Sequence, residues 1–144
     1  MRDVLRILDD YLTAELGVLG GIPIGVYRDY AYSVAAPYVV LQAPSLPVHD
    51  EECLAGPSPD EPDGFFRVTS VHATTDGARF VADRVRSVLS PGLAPLTIAG
   101  GLQVVWSEAL GDVVVDRDVT LPNTNQHPAV VIEEYEFTTS TDES

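Results

Sequence analysis

"VHDEECLAGPSPDEPDG", residues 48–64, gathers the side chains with the most chemical potential in this sequence: His49, Cys53 and the six carboxylates Asp50, Glu51, Glu52, Asp60, Glu61 and Asp63. Imidazole, thiolate and carboxylate are all metal ligands, yet their order fits no familiar metal site. A calcium loop alternates Asp or Asn around a central Gly and closes on a distal Glu. A zinc quartet needs more than one Cys and one His. A thiol enzyme draws its Cys and His from distant segments, whereas His49 and Cys53 are near neighbours. Pro57, Pro59 and Pro62 remove backbone donors and oppose a regular sheet. The expectation is a long, metal-free acidic loop over 43–64 that protrudes from the domain and meets an assembly partner through those six carboxylates.

The second acidic group is "GDVVVDRD", with Asp112, Asp116 and Asp118. On a strand Asp116 and Asp118 would share one face, as a carboxylate dyad requires. The plainer reading is a strand with a solvated acidic face. His72 falls in a strand-like stretch and His127 in a connector, and both read as structural or surface residues. There is no G-x-S-x-G elbow, and "GVLGG" lacks the Lys-Ser/Thr of a phosphate loop. The adjacent aromatics of "FFRVTSVHAT" could stack on bases, but core packing explains them better in so acidic a chain. No catalytic residue and no cofactor is expected, and the chain reads as no enzyme.

These residues must be carried by a small scaffold. Helical spacing of Val4, Leu5, Ile7, Leu8, Tyr11 and Leu12 predicts a helix over 3–16, broken by "GVLGGIP". "GVYRDY" at 25–30 and "PYVVLQ" at 37–42 read as strands, the second covered on both faces or central in its sheet. "FFRVTSVHAT" at 65–74 is a further strand whose alternation slips between Val68 and Val71, predicting a bulge near Ser70. A helix follows over 75–89, capped by Thr75 or Asp76, with Ala78, Val81, Ala82, Val85, Val88 and Leu89 on its apolar stripe. Residues 96–109 predict strand sequence interrupted by a turn at Gly100–Gly101. Strands are also expected at 112–120 and 129–137, and the polar tail at 139–144 should fray. This order predicts an α+β fold: two helices packed on a largely antiparallel, or mixed, sheet of five or six strands. Leu5, Leu8, Leu12, Val39, Leu41, Val81, Val85 and Trp106 should form its core.

The 144 residues suit one domain. Eight basic against 22 acidic residues leave a formal net charge of −14, and the basic residues, all Arg, are scattered. Such a surface repels nucleic acid and anionic lipid. Cys53 is the sole cysteine, so no internal disulfide is available. "MRDVLRILDD" is too charged for a signal peptide, and no apolar run is long enough for a membrane span. A soluble protein made in a cytoplasm is expected.

The succession of an amphipathic helix, a Gly/Pro break, "GVYRDYA", "APYVVLQ", a polar loop and "FRVTSVHATTDGARFVADRVRSVLS" resembles the tail terminator (tail completion) family of long-tailed bacteriophages. "PYVVLQ" and the helix face of Ala78, Ala82 and Val85 carry most of the likeness. The closing "LTIAGGLQVVWSEALGDVVVDRD" and "AVVIEEYEF" extend it over about residues 3–138. The long acidic loop departs from the family pattern. The resemblance implies a virion structural protein at the head-proximal end of the tail, assembled in the host cytoplasm. It implies a homo-oligomeric ring, six subunits round, that caps the tail tube protein and joins it to the head–tail connector protein. DNA would pass through the lumen without specific binding, and no membrane is involved. Three other readings stand beside it: another head-to-tail connector or neck subunit, a small enzyme using Asp112, Asp116 and Asp118 or the acidic loop, and an acidic DNA-mimic inhibitor.

Overall fold

A computed structural model describes residues 4–29, 31, 34–43 and 63–139. Two helices pack on one face of a curled mixed sheet, an α+β arrangement. Helix α1, Val4–Glu15, buries Val4, Leu8 and Leu12 at four-residue intervals, so one stripe faces the sheet. Gly17, at φ +74°, turns the chain out of that helix. The "GVLGGIP" break is itself a small hairpin, in which β1 (Val18–Leu19) pairs with β2 (Ile22–Pro23). Helix α2, Thr75–Leu89, has the predicted bounds and buries Ala78, Val81, Ala82, Val85 and Leu89. Its cap is Thr74, whose hydroxyl accepts from the N–H of Gly77 at 3.0 Å. The expected cap was one residue too late.

The remaining strands are β3 (Gly25–Arg28), β4 (Tyr38–Gln42), β5 (Gly64–His72), β6 (Leu96–Ile98), β7 (Leu102–Ala109), β8 (Val114–Val115) and β9 (Ala129–Thr139). Their order is β3-β4-β5-β9-β7-β6, with β8 also paired to β9. Among the described residues only β3 and β4 run parallel, and the other pairs are antiparallel. The strand expected over 25–30 stops at Arg28, because Asp29 adopts φ +71°. Gly100 and Gly101, both at positive φ, form the expected turn between β6 and β7.

Two expectations about strands are corrected. No bulge occurs at Ser70, and β5 keeps continuous register with both β4 and β9. The hydrophobic slip has another cause, since both faces of the sheet are covered there. Phe66, Val68 and Ser70 lie on the helix side, while Val71 joins Tyr38 and Val40 in a small cluster on the opposite face. The bulge lies instead in β7, between Trp106 and Glu108. The strand expected over 112–120 shrinks to Val114–Val115, because the Asp116 carboxylate accepts the N–H of Asp118 and bends the chain into a turn.

The main core lies between helices and sheet, with Leu8, Leu12, Val39, Leu41, Val81 and Val85 all buried as expected. Leu5 and Trp106 are only partly buried at its margin. Leu5 lies beside the last strand, β3, where the sheet ends. Trp106 lies beneath the guanidinium of Arg86, 4.3 Å from its ring centre.

Candidate functional site

Of the six carboxylates singled out in the acidic segment, Asp50, Glu51, Glu52, Asp60 and Glu61 lie outside the described residues, as do His49 and Cys53. Asp63 is described, and its carboxylate is turned inward. It accepts from the backbone N–H and the hydroxyl of Thr139, both at 2.6 Å, while its own N–H donates to Phe137 O. These bonds fasten the start of β5 to the end of β9. Asp63 therefore serves as a clasp on the sheet just before β5 begins.

The three aspartates of "GDVVVDRD" are not arranged as a dyad. Asp112 accepts the N–H of Val113 and lies 3.8 Å from Arg79. Asp116 is engaged in its turn with Asp118. His72 accepts the N–H of Ala73 through Nδ1, and the His127 ring nitrogen bonds the carbonyl of Val119. Each histidine secures local backbone. Among the described residues no three His, Cys, Asp or Glu side chains converge as metal ligands, and no helix there is long and apolar enough to cross a membrane.

Among the described residues a polar cluster that sequence reasoning missed lies between α2 and the sheet. Glu133, on the helix side of β9, is 5% exposed. Arg86 of α2 reaches down to its carboxylate and sets its guanidinium over the Trp106 ring. Next to Trp106 across the ladder is Tyr135, which stacks on Phe66 with ring centres 5.4 Å apart. The hydroxyl of Tyr135, the indole N–H of Trp106 and Nε of Arg86 are buried without a hydrogen-bond partner. Burial raises the Tyr135 pKa strongly, and the neighbouring Glu133 carboxylate adds to it. A periodicity reading places Glu133 in the apolar row of β9, between Val131 and Tyr135. That single polar residue in a buried row was the available signal.

Two hollows remain. One of about 210 Å³ lies on the helix-free face over Tyr38, Val40 and Val71, with Asp116 on its wall. Burial, then Asp116, then Tyr27 raise the Tyr38 pKa there. Its volume is below the range of ordinary small-molecule pockets, from about 300 Å³ upward. The other, about 490 Å³, is an open trough between α1 and β3.

No family model and no curated protein matches the chain. A solved protein structure is similar to it over 97% of this chain and 98% of that one, at 17% identity and a TM-score of 0.53. That likeness establishes a shared fold and carries no function with it.

Proposed function

We propose that this chain is a structural subunit of a virion and not an enzyme: a tail terminator that closes into a ring, caps the tail tube and meets the head connector. The observation that carries the reading is the pair of unlike sheet ends, β3 at one and β6 at the other, neither paired to a further strand among the described residues. A subunit with two different edges can join its neighbours head to tail, and such contacts close into a ring when the rotation per subunit allows. The sequence resemblance supplies the setting, and the helices and strands that carry it are the elements that build the sheet and its cover. The charge of −14 suits a conduit, because a wall that repels phosphate lets DNA slide through without capture.

Electron microscopy of the purified chain, alone and with tail tubes, tests this. Closed rings, free or seated on one end of each tube, are the expected result. A chain that stays monomeric and leaves tubes bare would overturn it.

A further inference from the structure

The two ends of the sheet differ in a way that suggests how copies would join. At the first end, β3 bonds to β4 through Gly25 N–H to Pro37 O at 3.2 Å and Asp29 N–H to Leu41 O at 2.8 Å. In a parallel ladder this alternation turns the N–H and C=O of Val26 away from β4. The trough of about 490 Å³ runs along that side, lined by Leu5 and Asp9 of α1 and by the chain from Val26 to Asp29. Asp9 holds Arg28 at 3.2 Å across it. The site thus offers the outward N–H and C=O of Val26, a small apolar patch of Leu5 and Val26, and a polar rim with more carboxylate than cation.

At the second end, β6 pairs with β7 and with no other strand among the described residues. It lies within residues 87–107, a stretch with no charged residue in a chain of net charge −14. Just before it Leu93 stands fully exposed, at 103% of its reference area. Among the described residues, the other exposed large apolar side chains are worse matches for an acidic rim. Phe80 lies between Asp76 and Asp83, Val114 and Val115 lie between Asp112 and Asp116, and Val119 directly follows Asp118. Val18 and Ile22 belong to the hairpin that leads into β3, so they share the first end.

We infer that a second copy of this chain docks its β6 end on the β3 end of the first, with Leu93 entering the trough beside Leu5 and Val26. The neutral stretch lets two acidic molecules meet without setting carboxylate against carboxylate. This rests on the reading of the chain as a self-assembling ring subunit and names the surface involved. The contact is heterologous, so it propagates from copy to copy until it closes. Repulsion between the rest of the two surfaces opposes it and is screened by salt, the Debye length falling from about 10 Å at 0.1 M to about 3 Å at 1 M.

Sedimentation and native mass measurements on the full chain across a salt series test the inference, with Leu93→Asp and Phe80→Asp as variants. Both sites are exposed, and unchanged melting temperatures verify that the monomers stay folded. The wild type is expected to self-associate, and more strongly as salt rises. Leu93→Asp should weaken association at least about tenfold by placing a carboxylate against an apolar patch, while Phe80→Asp leaves it within about twofold. Rings that persist in Leu93→Asp would overturn this interface and leave the ring reading standing. Open chains of subunits that dissolve in Leu93→Asp would keep the interface and overturn the ring. A wild type that is monomeric at every salt concentration would overturn both.

Discussion

Glu133 shows how one residue can fix the seating of a helix. Its side chain is 7% exposed and, among the described residues, it is paired with Arg86, whose side chain is 41% exposed. Removing the cation leaves a buried charge uncompensated, which is costlier than never having built the pair. Arg86→Ala is expected to cost about 2–3 kcal/mol, below the figure for a fully buried pair because Arg86 is partly solvated. Glu133→Gln, which keeps an acceptor for Arg86, should cost less. Urea unfolding at neutral pH, with the slope unchanged, measures both. Tyr135 makes a separate prediction. Its folded pKa is raised above the unfolded value, so the unfolded chain ionises first as pH climbs. The unfolded state then binds fewer protons than the folded one, and stability is complete below about pH 10 and falls above it. Tyr135→Phe removes both the titration and a hydroxyl with no partner. The variant should hold its melting temperature better than wild type between about pH 10 and 11, and equal loss in both would disprove the assignment.

At the scale of elements, the start of α2 is fitted against the end of β5. A Cβ added to Gly77 would lie 2.6 Å from the His72 ring and 2.9 Å from the Thr74 hydroxyl. In an open helix Gly→Ala stabilises by about 1 kcal/mol. Here Gly77→Ala is expected to destabilise by about 1–3 kcal/mol, since the ring is itself tied to the backbone at Ala73. Trimming the ring should reverse the sign: in a His72→Ala background, Gly77→Ala loses most of its cost, and a double-mutant cycle by thermal melts measures the coupling. This fit also marks what was legible in the sequence. The stripes of α1 and α2 could be read from spacing because one side of each helix does all the burying. The unbroken apolar run of β4 could be read as a strand covered on both faces, and Tyr38 and Val40 do lie opposite Val39 and Leu41. What could not be read depends on contacts made across the sheet. Val71 looked like a slipped register because nothing local reveals that the second face is also packed. Asp116 and Asp118 looked like neighbours on a strand because their turn competes with β pairing through a side-chain bond that spacing does not encode. Arg86 and Glu133 lie 47 positions apart, so only the fold brings them together.

For the whole molecule the governing quantity is charge. With 22 acidic and eight basic residues, each folded subunit concentrates like charge that the unfolded chain spreads out. Screening should therefore raise the melting temperature as salt is added at neutral pH, before any effect on assembly is considered. The same field decides how the molecule meets DNA. A protein that neutralises phosphates releases counterions, and its affinity falls steeply with salt, by about 10³–10⁵ between 50 and 200 mM for six to ten contacts. This chain has scattered Arg and no Lys. Among the described residues, Arg28, Arg67, Arg79 and Arg86 already face carboxylates of their own subunit. Duplex DNA should then show no retention by the assembled protein in a filter or mobility assay, even at 50 mM salt, where a phosphate-binding protein holds most tightly. Binding that weakens steeply with added salt would mean that assembly gathers the remaining arginines into a cationic track. A lumen of that kind would grip DNA, and the repulsive-conduit argument would fail with it.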